Sequence, residues 1–333
     1  MNYYKKLKYS DVCLVPKFSA CASRRDCNTR VTFPGTNDIF RLPVMPANMR
    51  SVIDRKIAKW MSDNSYFYSM HRFKEDVYNF VECANKESWK TISISVGVKD
   101  QDIELIRKIS SAGLRVDYLT VDIAHGHSER MKRMLYTIRQ KASFCVLGNC
   151  SVIAGNVSTQ GAVRDLYSWG ANVIKIGIGQ GSPCTTKDKT GFTLPMFSCV
   201  LDCGGIYKNC SEEGKIPIIA DGGIKHTGDI AKAIRAGAFM TMAGGIFAEC
   251  KDSPAETTTS KDGKKLKAYF GSASIQNKIF NKNIEGVQVN LNESNVTYKK
   301  KLEEIEQDLQ SAISYAGGGD LSSLKTVSYE AIA

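Results

Sequence analysis

Eight short runs of apolar, mostly β-branched residues punctuate the chain: Leu42 to Asn48, Tyr66 to Met70, Thr91 to Gly97, Tyr118 to Ala124, Val152 to Val157, Asn172 to Gly179, Ile216 to Gly223 and Phe239 to Gly245. Runs that stay apolar instead of alternating belong to strands buried on both faces, as in parallel sheets covered by helices. Most gaps between them carry a helical pattern. Asp102-Ile-Glu-Leu-Ile-Arg-Lys-Ile leads into Ala112-Gly113, and Asp229-Ile-Ala-Lys-Ala-Ile-Arg leads into Ala236-Gly237, each closing on a glycine suited to a helix C-terminus. Eight strands joined by crossover helices close on themselves, so the fold expected is α/β, a single (β/α)8 TIM barrel over residues 1–333. An open, doubly wound sheet explains the alternation equally well. It does not explain why the loops after the last three runs are all rich in glycine.

In a barrel the functional groups gather at the C-terminal ends of the strands, with phosphate at the loops after strands seven and eight. Those loops are here Asp221-Gly-Gly223 and Ala243-Gly-Gly245, both of which present bare backbone N–H groups. Asp221 is placed to accept hydrogen bonds from ribose hydroxyls. The loop after the sixth run, Gly177-Ile-Gly-Gln-Gly-Ser-Pro-Cys-Thr-Thr186, sets three glycines within five positions and leaves Cys184 without a bulky neighbour. It reads either as a nucleophile loop, whose thiolate attacks an electrophilic carbon, or as a glycine-rich barrel turn holding an inert thiol. An isolated Asp-Gly-Gly is more often a turn than a site. Two such loops beside the Cys184 loop point to a site for a phosphorylated ligand.

Lysine and arginine outnumber the acids 45 to 34, for a net charge of +11. The lysines are scattered, and the densest run, Lys299 to Lys301, opens a helix and is followed by Glu303, Glu304 and Glu306. A solvated helix face accounts for it, so no nucleic-acid partner is expected, while a general positive field favours small phosphorylated molecules. Eleven cysteines are spread along the chain with no Cys-x-x-Cys pair, which fits a reducing, cytoplasmic setting. The start of the chain lacks an apolar signal core and no run of about 18 apolar residues occurs, so a soluble protein with no membrane partner is expected. His125 and His127 form a His-x-His, yet only two other histidines exist to complete a zinc set, and no such metal is expected.

The motifs Tyr9-Ser-Asp-Val-Cys-Leu-Val-Pro16, Leu42-Pro-Val-Met-Pro-Ala-Asn-Met49, Ser93-Ile-Ser-Val-Gly97, Val121-Asp-Ile-Ala-His-Gly-His127, Ala154-Gly-Asn-Val157, Ala220-Asp-Gly-Gly-Ile224, Tyr269-Phe-Gly-Ser-Ala-Ser274 and Ser314-Tyr-Ala-Gly-Gly318 run almost end to end. With the Cys184 loop, they resemble the IMP dehydrogenase/GMP reductase family, and within it the reductase branch. The dehydrogenases usually insert a regulatory domain after the second strand. Here about twenty residues separate Met70 from Thr91, room for one crossover helix, so no inserted domain is expected. The dehydrogenases also activate water with an Arg-Tyr pair on a flap. The corresponding span, Ile275 to Ile284, is short and has neither residue.

The resemblance implies NADPH-dependent reductive deamination of GMP to IMP and ammonia, in purine salvage, by a homotetramer. Cys184 would attack C2 of guanine to give a covalent thioimidate, with Thr186 and Glu285 as the proton relay. Glu285 taken alone reads more readily as an exposed loop charge, so its role comes from the resemblance. Substrate contacts carry over to Ser182, Asp221, Gly222, Gly223, Gly244, Gly245, Gly271, Ser272, Ala273 and Gly286. Cofactor contacts carry over to Ser23, Arg24, Arg72, Asp122, Ile123, Ala124, Ile178, Gly179, Ser311, Ala312, Ile313 and Ser314. Potassium is implied through the backbone carbonyls of Gly179, Gly181 and Cys184. Three positions depart from the family pattern: Gln180 stands for a usual proline, Pro183 for Val or Ile, and Thr193 for a common glycine. Proline at 183 fixes φ and removes an N–H, whereas its loss at 180 is expected to free the turn before the nucleophile.

Overall fold

The computed structural model describes residues 6–140, 150–205, 215–277, 282 and 284–332. The chain enters through β1 (Val12–Leu14) and a small hairpin, β2 (Val31–Thr32) and β3 (Ile39–Phe40). Phe33 and Phe40 of this hairpin region are buried against Phe67, Tyr118 and Phe239, with ring centroids 4.9 Å apart for Phe33 and Phe67 and 4.5 Å for Phe33 and Tyr118. Tyr118 opens its barrel strand, Phe239 just precedes one, and Phe67 lies near the start of the apolar segment Tyr66 to Met70. The hairpin therefore plugs the N-terminal end of the barrel with aromatic surface and leaves the other mouth for a site.

Seven parallel strands follow: β4 (Val44–Pro46), β5 (Ser93–Val96), β6 (Tyr118–Asp122), β7 (Ser151–Val157), β8 (Val173–Ile176), β9 (Ile218–Asp221) and β10 (Met240–Ala243). They are ordered β4-β10-β9-β8-β7-β6-β5. The six runs Thr91–Gly97 through Phe239–Gly245 and the first run all appear as strands at the expected places. Tyr66 to Met70 is the exception, being reduced to one bridge, Met70 to Ile94. Met70 N donates to Ser93 O at 3.0 Å and Ser95 N to Met70 O at 2.9 Å. At the other side of this segment, Arg41 N donates to Ser65 O at 2.9 Å near the N-terminal rim. Tyr66, Phe67 and Tyr68 nevertheless have their side chains buried. The segment thus fills the barrel seam by packing more than by ladder bonds.

Helices cover the strands. They are α1 (Arg55–Asp63), α2 (Val77–Lys86), α3 (Asp100–Ser111), α4 (Glu129–Gln140), α5 (Gln160–Ser168), the short α6 (Thr186–Thr190), α7 (Met196–Cys203), α8 (Thr227–Ala236), the short α9 (Gly245–Ala248) and α10 (Tyr298–Tyr315). Local chemistry starts them: Asp54 Oδ1 accepts Ile57 N at 2.8 Å, Asp76 Oδ1 accepts Asn79 N at 3.0 Å, and Thr159 Oγ1 accepts Ala162 N at 3.3 Å. Between Met70 and β5 lies α2, the one crossover helix for which the spacing leaves room. Among the described residues no helix is long and apolar enough to cross a membrane.

Beyond the barrel the chain adds an antiparallel sheet that the runs do not announce: β11 (Thr257–Thr259), β12 (Lys265–Phe270) and β13 (Gln288–Asn292). Finally β14 (Tyr329–Ala331) pairs antiparallel with β1. The span Ile275 to Ile284 leaves β12 and returns to β13; its residues 278–281 and 283 lie outside the described residues.

Candidate active site

Cys184 is brought to a carboxylate 101 positions away in sequence by a scrap of antiparallel pairing. Cys184 bridges Gly286, Thr185 N donates to Glu285 O at 3.0 Å, and Val287 N donates to Pro183 O at 2.9 Å. The far side of the same segment is held by Ser274, which bridges Gly286, and by Glu285 N donating to Ala273 O at 3.2 Å. Gly286 must be a glycine here, because a Cβ would lie 2.4 Å from Ser274 Oγ. The result is a directed chain of donors. The Cys184 thiol donates to Thr186 Oγ1 at 3.2 Å, and the Thr186 hydroxyl donates to Glu285 Oε2 at 2.6 Å. Thr186 is buried and opens α6, so its rotamer is held by packing.

These groups line a cleft of about 930 Å³ at the C-terminal mouth of the barrel, together with Ser182, Asp221, Gly222, Gly223, Gly244, Gly245, Gly271, Ser272 and Ala273. A second hollow of about 670 Å³, lined by Thr36, Asp38, Arg115 and Tyr118, lies at the opposite end and contains none of the site residues. Gly222 and Gly223 have φ of +98° and +78°, a region that only glycine enters without strain, and both line the cleft, with the Gly222 N–H donated to Met242 O at 3.3 Å. Gly244 is required for a different reason. Its φ is −107°, and a Cβ would meet the Tyr269 hydroxyl at 2.0 Å. Gly244→Ala is therefore expected to destabilise the fold by about 1–3 kcal/mol through overpacking, and Tyr269→Phe in the same chain to recover part of that loss, both read from thermal unfolding.

Behind the cleft lies an ion cluster. Lys175 on β8 is 2 % exposed, and its ammonium reaches Asp221 Oδ2 at 2.5 Å and Asp122 Oδ1 at 3.0 Å. Burial alone would lower the Lys175 pKa, but Asp122 and Asp221 more than reverse this and hold it above the usual lysine range. Burial pushes Asp122 up, and Lys175 with the Asn48 hydrogen bond brings it net below the usual carboxylate range. Asn48 Nδ2 donates to Asp122 Oδ2 at 2.9 Å, so both Asp122 oxygens are committed within the protein. Asn156 Nδ2 donates to Asp221 Oδ2 at 2.8 Å and to Gly177 O at 2.7 Å. Among the described residues both side-chain donors to Asp221 meet Oδ2, and none meets Oδ1.

The cofactor positions divide into two groups. Arg72, Asp122, Ile123, Ala124, Ile178 and Gly179 line the cleft beside Cys184, with Lys74, Lys99 and Gln101 next to them. Ser23, Arg24 and Ser311 to Ser314 are not among the lining residues. They sit with one another instead: Arg24 lies 5.3 Å over the Tyr315 ring, and Gln310 Nε2 donates to Arg25 O at 3.2 Å. His127 is held by Asp165, with Nε2 to Oδ2 at 2.8 Å, and stacks on Trp169. Lys175, Asn48 and Asn156 escape sequence reasoning. Only Lys175 carries a signal, a charge in the otherwise apolar Val173-Ile-Lys-Ile176.

Comparison with known proteins places this geometry. The family model for the IMP dehydrogenase / GMP reductase domain matches residues 6–332. The GMP reductase of Staphylococcus epidermidis is 45 % identical over 328 residues, which cover 98 % of this chain and 96 % of the relative. The GMP reductase of Staphylococcus carnosus is 46 % identical over 327 residues, with the same coverage of each chain. That of Leptothrix cholodnii is 43 % identical over 321 residues, covering 96 % and 94 %.

Proposed function

The chain belongs to the IMP dehydrogenase/GMP reductase family, and from that premise we propose that it catalyses the NADPH-dependent reductive deamination of GMP to IMP and ammonia. The single observation that carries the reading is the donor chain from Cys184 through Thr186 to Glu285. Its direction is that of the proton that must move. The thiol proton passes by way of the Thr186 hydroxyl to the Glu285 carboxylate, and Cys184 Sγ bonds to C2 of guanine. The same proton then returns to the 2-amino group, which leaves as ammonia, and the purine remains on sulfur as a thioimidate. NADPH, when bound, supplies the hydride to C2, after which expulsion of the Cys184 thiolate frees IMP.

Asp221 Oδ1 is the acceptor for ribose hydroxyls. Ser182, Gly223, Gly244 and Gly245 hold the phosphate, with Gly222 shaping the turn that presents Gly223, while Gly271, Ser272, Ala273 and Gly286 border the base. The cleft-lining cofactor group fits the reactive half of NADPH, since the site offers room beside Cys184 and positive charge from Arg72, Lys74 and Lys99. The second group, Ser23, Arg24 and Ser311 to Ser314, lies outside this chain's cleft. That separation supports a cofactor site completed by a second copy in a homotetramer. For potassium, Gly181 O already accepts Cys184 N at 3.0 Å and retains one lone pair. The carbonyls of Gly179, Gly181 and Cys184 fit as ligands, with the rest of the shell supplied from elsewhere. The reading extends to the cytoplasm and to purine salvage, where a thiol nucleophile stays reduced and the nucleotides meet.

Glu285→Gln tests the relay. It keeps a hydrogen-bonding group beside Thr186 but cannot take the proton, so ammonia release is expected to slow about 100-fold, with GMP binding by calorimetry little changed. Near-normal ammonia release by this variant would remove Glu285 from the proton path.

A further inference from the structure

Two of the three positions that depart from the family pattern, Gln180 and Thr193, meet in space. Gln180 Nε2 donates to Thr193 Oγ1 at 2.5 Å, and the Thr193 hydroxyl donates to Ile178 O at 2.9 Å. Thr193 spends its one proton on the backbone where the Cys184 loop leaves β8, and a lone pair on an amide from within that loop. Ile178 and Thr193 bracket the segment that carries Cys184 and Thr186. One hydroxyl therefore joins the two ends of the nucleophile loop, and Gln180 ties its near half to the same point.

The surroundings leave little slack. A Cβ on Gly179 would lie 3.3 Å from Thr193 Oγ1 and 3.3 Å from Lys187 N, so the loop entrance is packed directly on α6 and on Thr193. A Cβ on Gly222 would lie 3.2 Å from Gly181 N and 3.3 Å from Gln180 Cβ, which sets the Gln180-Gly181 backbone against the loop after β9. From there Cys184 N reaches back to Gly181 O at 3.0 Å. Displacement at Gln180 is thus transmitted to Cys184 through one tight turn. The turn that loses its proline is not free.

We propose that Gln180 and Thr193 form a latch, a pair of positioning residues that hold the Cys184 thiol in line with Thr186. Their two side-chain hydrogen bonds do what a proline at 180 does by fixing φ. The proposal rests on the reading of Cys184 as the nucleophile of a reductive deamination. Neither latch residue belongs to the donor chain from Cys184 to Glu285. Loosening the latch acts on the fraction of time the thiol spends in register, which lowers kcat, and leaves the ribose contact at Asp221 and the phosphate contacts at Gly223, Gly244 and Gly245 in place.

The test compares Thr193→Val, Thr193→Ser, Gln180→Ala and the double variant Gln180→Ala/Thr193→Val in the full chain. Three quantities are read: kcat and KM for GMP, the rate of Cys184 alkylation by iodoacetamide from site-resolved peptide mass spectrometry, and the thermal midpoint. Thr193→Val is expected to lower kcat about 10-fold with KM within about 3-fold, the scale of one or two lost hydrogen bonds acting on alignment. Thr193→Ser, which keeps the hydroxyl, stays near the wild type. The double variant is no worse than Thr193→Val, because the valine already breaks both bonds. Cys184 alkylation quickens several-fold in Thr193→Val and in the double variant, since the half-buried thiol is released. Unchanged kcat or unchanged alkylation in Thr193→Val overturns the latch, as does full additivity in the double variant. A wild-type chain without turnover on GMP, but with alkylation that still depends on Thr193, overturns the assigned reaction and leaves the loop closure standing.

Discussion

Cys184→Ala abolishes turnover, to below about one thousandth of the wild-type rate, while GMP still binds within a few-fold of its normal affinity. The two halves of this result have separate causes. Without the thiol no bond to C2 forms, and neither Thr186 nor Glu285 is a nucleophile in position to replace it, so the covalent route is lost entirely. Binding depends on other groups. The proposed ribose acceptor, Asp221 Oδ1, is left as it was, since the donors Lys175 and Asn156 share Oδ2. The proposed phosphate contacts, Ser182, Gly223, Gly244 and Gly245, are likewise not touched by the substitution. Calorimetry with GMP and a single-turnover ammonia assay on the same preparation separate the two effects.

Lys175→Met costs roughly 3 kcal/mol of folding stability at neutral pH, measured by urea unfolding, because it leaves Asp122 and Asp221 facing each other without their shared cation. The lower end of the range for a broken buried pair applies. The two carboxylate side chains remain 15 % and 20 % exposed and can recover some hydration from the cleft. The pH dependence distinguishes lost charge from lost packing. In the wild type, the Asp122 pKa lies below its unfolded value, so its contribution is present above about pH 4 and is lost as pH falls through the depressed native value. The Lys175 pKa lies above its unfolded value, so its contribution is complete below about pH 10 and is lost only at higher pH. In Lys175→Met the burial of Asp122 is no longer offset by the ammonium, so its carboxylate binds protons more tightly folded than unfolded. The deficit then shrinks as pH falls from 7 toward 5, and Asp122→Asn in the same chain removes part of it. A deficit that does not change with pH would assign Lys175 a packing role only.

The parallel core is legible in the sequence because burial on both faces leaves apolar runs with little else in them, and helices such as α3 and α8 between them stop at a glycine, Gly113 and Gly237. Tyr66 to Met70 has the same composition yet contributes a single bridge, since composition reports burial and not which backbone groups find partners. The sheet β11-β12-β13 is less visible because Lys265-Leu-Lys-Ala-Tyr-Phe270 reads as a mixed run. Its one buried cation, Lys267, is held by Lys251 O at 3.0 Å and faces Glu293, partners that no local pattern reveals. At the site, residues whose role depends on backbone or on a short motif, the Gly-Gly turns and the Cys184 loop, can be found from spacing. Asn48, Asn156 and the Gln180–Thr193 pair cannot, because each acts through a partner that the fold supplies from another element or a distant loop position. Gln180 and Thr193 show the limit most clearly. Taken singly each is a missing proline or a missing glycine, and only their contact turns two departures into one constraint.

The most direct measurement of the whole account is the reaction of the purified chain with GMP and NADPH, followed by nicotinamide absorbance and ammonia together. Absorbance is expected to fall, with one ammonia and one IMP appearing for each NADPH consumed. Reduction of NAD with IMP as substrate, or GMP binding that saturates while NADPH is untouched and no ammonia forms, would contradict it.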